Sequence, residues 1–332
     1  MKALLSDEPG GPETLRLGEI PDPQPGAGEL LVRVRACAIN YPDVLIIEDK
    51  YQLKPPRPFA PGSEIAGEVE ALGEGVSGWS VGDRLIAATG FGGLVEKIVI
   101  SAKAAIPLPP ERSFAEGSAL LLTYATAIHA LADRGRVQAG QSLLVLGASG
   151  GVGIAAVEVG KALGARVIAA VSSEEKAAAA RQAGADDAVI YPSGPFDRDG
   201  LKALAQLFKD KVGTDGADVI LDPVGGDYSE AALRSIAWGG RFLVVGFPAG
   251  IARLPLNLTL LKSCDVCGVF WGAFVAREPK RNAAHVEQLF RWWAEGKIAP
   301  RISATYPLER GGEAIAALRD RKAIGKLVVE MG

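Results

Sequence analysis

The spacing of apolar positions changes twice along this chain, and each change marks a different kind of structure. Residues 30–36, Leu-Leu-Val-Arg-Val-Arg-Ala, alternate with period two, which puts Val32, Val34 and Ala36 on one face of a strand. Residues 64–72 and 83–88 read as further strands, separated by the turn formers of 73–78. Proline-rich stretches at 21–25 and 55–61 mark irregular loops, so about the first 120 residues predict a small, mostly β unit. From about Leu121 short apolar strands alternate with helical patterns, at 142–146, 151–163, 166–171, 174–183, 187–190, 219–222, 229–236 and 241–246. Strands joined through helices need crossover connections, which implies a parallel sheet covered on both faces. After about Leu261 the pattern is mixed, with a strand expected at 266–271 and a helix around 285–295.

Between the first strand and first helix of the α/β unit stands Gly147-Ala148-Ser149-Gly150-Gly151-Val152-Gly153. A phosphate held there meets free backbone N–H groups and the positive end of a helix dipole. Glycines are needed because a β-carbon blocks the approach of backbone to diphosphate, or of helix to strand. A strand before, a helix after and a second strand about 20 residues on supply the context that makes the match informative. Ala148 departs from the strict pattern, which has its first glycine there. The second strand ends on Ser172 and Ser173 where NAD enzymes commonly carry Asp or Glu for the ribose 2′-hydroxyl. Small hydroxyl residues leave room for a 2′-phosphate. Ser172 and Glu175 have capping-box spacing, and Lys176 in a helix's first turn opposes the dipole unless an anion sits beside it or water solvates it.

Composition narrows the functional classes. The 332 residues are 48% hydrophobic and 23% charged, which suits about two globular domains and excludes disordered, collagen-like and coiled-coil chains. A formal charge of −3 without a basic block offers no footprint for nucleic acid or an anionic membrane. The most apolar stretch, 117–132, is too short and too polar to cross a bilayer. The start turns acidic at Asp7-Glu8 before an apolar leader forms, and three cysteines build no disulfide framework, so a cytoplasmic location is expected. Only two histidines are present. His129 falls in an apolar helix pattern at 118–132 and reads as packed and hydrogen-bonded, whereas His285 opens a polar helix and reads as a surface residue. A Ser-His-Asp hydrolase is therefore disfavoured. Trp292 and Trp293 read as packing, and Asp222 as a cap of the turn that follows it.

Three passages, Cys37-Ala38-Ile39-Asn40-Tyr41-Pro42-Asp43, Pro61-Gly62-Ser63-Glu64 and Gly82-Asp83-Arg84, together with Gly147–Gly153, resemble the medium-chain dehydrogenase/reductase superfamily over nearly the whole chain. Zinc alcohol dehydrogenases of that superfamily have a cysteine where Asn40 stands and a histidine where Ser63 stands; Glu64 alone persists. Neither an amide nor a hydroxyl replaces thiolate or imidazole adequately on zinc. The four cysteines of the structural-zinc lobe are absent, and Cys264 and Cys267 point to opposite faces if they lie on a strand. No metal is expected. Within the superfamily the chain looks most like the zinc-independent quinone oxidoreductases, the group that includes ζ-crystallin, on Asn40–Asp43, Tyr51, Pro61–Glu64, Asp222–Gly226, Gly246-Phe247 and Phe270-Trp271-Gly272.

That resemblance implies an α/β protein with a doubly wound parallel-sheet Rossmann domain, residues 124–263, and a GroES-like β-barrel domain from both chain ends, residues 1–123 and 264–332. It implies a cofactor cleft between the domains and a homodimer paired through nucleotide-domain strands, here 266–271. The 2′-phosphate of NADPH is expected at Ser172, Ser173, Lys176, Tyr191 and Arg321. The rest of the cofactor is expected along Tyr41, Pro42, Asp43, Val44, Thr126, Gly147, Ser149, Gly150, Gly151, Val152, Gly153, Gly246, Phe247, Phe270 and Trp271. Hydride transfer belongs to the nicotinamide, so Asn40, Thr123 and Tyr51 are left to orient the acceptor or carboxamide and, for Tyr51, to donate a proton. Three readings follow: an NADPH-dependent quinone reductase, an enone or enoyl-thioester reductase of the same fold, and a non-catalytic NADPH-binding structural protein.

Overall fold

The computed structural model of the protein describes residues 1–332, which divide into two compact units. One unit comprises residues 1–122 and 300–332, the other 123–299. The first boundary lies within one residue of the expected 123/124. The second does not fall at 263/264: it is displaced to 299/300, and the reason is hydrogen bonding. Asp265–Gly268 pairs in parallel with the strand Ile236–Val244 and so completes the α/β sheet. The helices Trp271–Arg277 and Pro279–Ala294 follow it in the same unit.

The parallel sheet of this unit has six strands. Across the sheet they run Asp187–Ile190, Arg166–Val171, Ser142–Leu146, Ala217–Asp222, Ile236–Val244 and Asp265–Gly268. Counted along the chain this is the doubly wound order 3-2-1-4-5-6, whose reversal point lies beside the first strand. Leu143, Leu144, Val145 and Leu146 are all fully buried, as a strand covered on both faces requires. The helix Arg198–Val212 is absent from the pattern-based reading, although Leu204, Ala205, Phe208 and Val212 form its buried face and Asp197 caps it through the Gly200 N–H. The strand expected at 266–271 stops at Gly268, and Trp271 begins a helix. Ser118–Ala132 is not one regular helix: Leu121–Ala125 and His129–Arg134 are π-helical, with a short α-helical piece, Thr126–Ile128, between them.

In the other unit the long strand Glu29–Ile39 organises a seven-stranded sheet. One edge pairs with Glu64–Leu72; the other pairs first with Lys97–Ser101 and then with Lys326–Glu330. The pairing with Glu64–Leu72 is irregular between Leu31 and Val32 and between Val34 and Ala36, the second of these near the change of partner on the other edge. The C-terminal segment thus reaches the N-terminal sheet, as expected from the resemblance. No helix is long and apolar enough to cross a membrane.

Candidate functional site

Almost every cofactor residue expected in the α/β unit lies at or just beyond the carboxyl ends of its strands, where open parallel sheets bind ligands. The glycine turn leaves Ser142–Leu146 and enters the helix Gly151–Ala162 through Gly150. Gly147 carries the left-handed backbone, φ 57°, and a β-carbon there meets Val224 at 2.8 Å. The turn therefore places its conformational demand on Gly147, one residue early, which is why alanine suffices at 148. At Gly153 a β-carbon falls 2.1 Å from the Gly147 carbonyl oxygen, so this glycine brings helix against strand. At Gly150 it meets nothing nearer than 3.5 Å. The mouth of the turn is open at that position, so the backbone presents itself to a ligand, and the turn fits the diphosphate of a dinucleotide. Gly151 and Val152 lie half-buried beside it and Ser149 is buried.

At the end of the second strand, the helix Glu174–Gln182 is capped by Ser173, whose hydroxyl accepts from the Lys176 N–H; the expected cap at Ser172 is one residue off. Ser172 is freed by this shift and accepts from Lys176 Nζ at 3.1 Å. Ser172 is exposed and Lys176 half-buried. Ser172, Ser173 and Lys176 thus form one cluster with an ammonium in it. The Tyr191 N–H donates to the Val171 carbonyl, which places Tyr191 beside that strand end, but its ring packs inward, 5.0 Å from Tyr228 and 8% exposed. Arg321 belongs to the other unit, on an exposed turn with φ 59°, where its charge acts on the Tyr41 phenol. Phe247, which follows Gly246 in sequence, and Phe270 are exposed beyond the fifth and sixth strands, while Trp271 Nε1 donates to Asn282 at 2.9 Å. Thr126 is buried and its segment packs on the helix Gly151–Ala162; Thr123 is buried within the first π-helical turn. Asp222 caps the next turn, accepting from the Val224 and Gly225 N–H groups at 2.8 Å each.

In the unit of both chain ends, Asn40 precedes the helix Tyr41–Ile47 and donates its N–H to Asp43 at 2.7 Å. Asp43 is wholly buried and also accepts from the Gly62 N–H and the Ser63 hydroxyl. Burial pushes its carboxyl up to about 7. Val44 is likewise core, so only Tyr41 and Pro42 keep partly open side chains in this stretch. The Asn40 amide donates to Glu64 at 2.9 Å, to Ser63 Oγ and to the Ala38 carbonyl, and accepts from Lys326 Nζ. Lys326 Nζ also meets Glu64 at 2.8 Å, and the second Glu64 oxygen accepts from the Leu122 N–H. Tyr51 is half-buried, and burial, then the Asp43 charge, raises its phenol, so it stays protonated at neutral pH.

Lys326 is a site residue that the sequence analysis does not select: it opens the apolar strand Lys326–Glu330, and only its contact with Glu64 marks it. The donors at this position do not suit zinc. They are an amide, a hydroxyl and one carboxylate, with an ammonium already on the carboxylate. No three His, Cys, Asp or Glu side chains stand together as a metal-holding group anywhere. The histidines occupy a different place. His129 Nδ1 lies 2.7 Å from Asp133 and the ring stacks 4.0 Å from Phe274, as a packed histidine should. His285 is not a surface residue: its side chain is 13% exposed, stacked on Phe274 and 3.4 Å from the same carboxylate. Helix periodicity hides this, because the partners come from other elements, Phe274 from the preceding helix and Asp133 from the second π-helical turn. Trp292 and Trp293 are buried, as read.

Residues 26–110 match the family described as alcohol dehydrogenase GroES-like domain, and residues 151–288 match that described as zinc-binding dehydrogenase. Quinone oxidoreductase-like protein 2 of Bos taurus is 37% identical over 91% of this chain and 85% of its own. Quinone oxidoreductase of Homo sapiens is 32% identical over 99% of this chain and 97% of its own. Among solved structures, a mycobacterial protein complexed with NADPH is 30% identical, with TM-score 0.91 over 99% of this chain and 100% of that one.

Proposed function

Since the chain belongs to the medium-chain dehydrogenase/reductase family, in its quinone oxidoreductase type, and is an oxidoreductase, we propose that it transfers hydride from NADPH to a quinone or related conjugated carbonyl without zinc. The observation that carries the cofactor half is the cluster of Ser172, Ser173 and Lys176 at the second strand end, in line with an open glycine turn. The nicotinamide supplies the hydride when bound. The protein's part is to hold and orient. The turn at Gly147–Gly153 offers N–H groups and a helix N-terminus to the diphosphate, and Lys176 offers its ammonium to the 2′-phosphate. Negative charge develops on the acceptor oxygen, and the protonated Tyr51 phenol is the side chain suited to donate to it. Asn40 has its amide committed inside its own unit and acts by holding that unit's wall rather than by touching the acceptor.

The partner proposal is a second copy of the chain. Asp265–Gly268 is the last strand of its sheet and has one unpaired edge. Trp238, Leu260, Leu261 and Val266 are exposed in and next to it, an apolar border of the kind that self-association covers. The three cysteines remain free thiols, which fits a reducing compartment and with it a cytoplasmic location. The test of the activity is NADPH oxidation against a panel of quinones, enones and enoyl thioesters. Turnover fastest with quinones supports the reading; turnover confined to thioesters replaces it with an enoyl reductase, and tight NADPH binding without turnover of any acceptor replaces it with a structural protein.

A further inference from the structure

We propose that Asp133, gripped by both histidines of the chain, is a positioning residue: it fixes the short helix that begins at Trp271 and so sets Phe270 and Trp271 at the nicotinamide end of the cofactor. The inference rests on the reading of an NADPH site and adds the group that holds one end of it. The glycine turn stands at the end of the first strand, and the cluster of Ser172, Ser173 and Lys176 at the end of the second. A dinucleotide laid across the carboxyl ends of a sheet ordered 3-2-1-4-5-6 therefore extends its nicotinamide half toward the fourth to sixth strands. Phe270 stands there, 55% exposed, just beyond the sixth.

The helix Trp271–Arg277 has seven residues, too few to keep its place by its own hydrogen bonds. It is held from its sides. Phe274 is buried between two imidazoles, with ring centres 4.0 Å from His129 and 5.6 Å from His285. One carboxylate ties both: Asp133 lies 2.7 Å from His129 Nδ1 and 3.4 Å from His285 Nε2, and Arg281 donates to it at 2.5 Å. Trp271 is fixed in turn by the bond from its indole to Asn282, on the helix that carries His285 and Arg281. Asp133 touches neither cofactor nor acceptor and acts through this stack.

The grip suits a neutral His285. With its proton on Nε2, toward Asp133, its Nδ1 is buried without a partner. A second proton puts an unsatisfied buried donor at Nδ1 and a charge into the stack. The charged and titratable groups acting on the ring are Asp133 and His129 from the π-helical turn and Arg281, itself paired with Glu278, from its own helix; Trp271–Arg277 presents the uncharged Phe274 ring. Burial outweighs the attraction of Asp133, on which Arg281 already draws, and holds His285 below the usual histidine value. The stabilisation of the closed cluster is complete above the ordinary value of 6.5 and is lost as pH falls through the lower folded one.

The experiment compares NADP⁺, which is stable in mild acid, with adenosine 2′,5′-bisphosphate, which has the same 2′-phosphate and adenine but no nicotinamide half. Binding of both is measured by calorimetry at about pH 7.5 and about pH 5.5, on either side of the histidine range. On acidification the unaltered protein should lose at least about fivefold more affinity for NADP⁺ than for the bisphosphate, since titration of the 2′-phosphate is common to both. His285→Gln keeps a donor to Asp133 and cannot take up a proton, so its ratio of the two affinities should not change with pH. Asp133→Asn at about pH 7.5 should weaken NADP⁺ at least about fivefold and leave the bisphosphate unchanged. A pH response equal for the two ligands, its persistence in His285→Gln, or an equal loss of both ligands in Asp133→Asn overturns the proposal; the last is what a merely structural role predicts. Failure of the underlying reading is separately visible, because the unaltered protein then binds neither ligand.

Discussion

In the proposed function, Lys176 is the residue on which cofactor choice turns. Its ammonium already holds Ser172, so a 2′-phosphate arriving there exchanges a neutral hydroxyl partner for an anion. A hydrogen bond to a charged group contributes about 1.5–3 kcal/mol. Lys176→Ala is therefore expected to weaken NADPH about tenfold or more and to leave NADH unchanged, measured by fluorescence titration of both; equal weakening removes the phosphate assignment. Glu158 sets a different test. It accepts from the Tyr124 hydroxyl at 2.7 Å and the Ala299 N–H at 2.9 Å, yet burial pushes its carboxyl up to about 7. A folded-state value above the unfolded one near 4.5 means that the folded protein binds the extra proton. The stabilisation is complete below about pH 4.5 and is lost as pH rises to about 7, an effect of about 3 kcal/mol. Glu158→Gln keeps an oxygen for both donors and removes the charge. Its denaturation free energy should lack that fall between pH 4.5 and 7; an unchanged slope assigns the dependence elsewhere.

At the scale of elements, the strand–turn–helix at 142–162 separates glycines that fold the chain from one that, in the proposed function, admits the ligand. Gly153→Ala puts a methyl 2.1 Å from a carbonyl oxygen, and neither backbone can yield without moving the helix off the strand. Overpacking of this kind costs about 1–3 kcal/mol, so both stability and cofactor binding should fall. Gly150→Ala meets no close atom, and its backbone, φ −78°, suits alanine. Stability by urea denaturation should be unchanged, while the methyl stands in the open mouth and weakens cofactor binding at least tenfold. Matching losses in the two variants would mean that Gly150 serves the fold alone. Periodicity served well where a whole element shares one environment. Arg166–Val171 and Asp187–Ile190 lie where expected because both faces of each strand are covered. It was not applied to Arg198–Val212, although Leu204, Ala205, Phe208 and Val212 stand at helical spacing there, and it served poorly at Trp271, an aromatic residue that suits strand and helix alike.

For the whole molecule, the unpaired edge at Asp265–Gly268 predicts association of two chains of 34.6 kDa. Sedimentation equilibrium should return twice that mass. Leu260→Asp with Val266→Asp should return a single chain with unchanged circular dichroism, because both side chains are exposed in the isolated chain. A monomer before substitution ends the dimer proposal.

The division of labour between sequence and tertiary structure is then physical. Local spacing determined the parallel α/β unit, the glycine turn and the grouping of Ser172, Ser173 and Lys176, because each depends on neighbours within about 30 residues along the chain. It also revealed that Asn40 and Ser63 are poor zinc donors, since that is a property of the side chains themselves. Tertiary structure alone decided the domain boundary at 299/300, since a strand belongs to whichever sheet supplies its hydrogen bonds. It alone placed His285 against Phe274 and Asp133. It alone brought Lys326 to Glu64, 262 residues away in sequence, where burial turns an ordinary lysine into the counter-charge of the site. Long-range pairing and desolvation leave no periodic trace in the chain, and those are the two effects on which the centre of this unit depends.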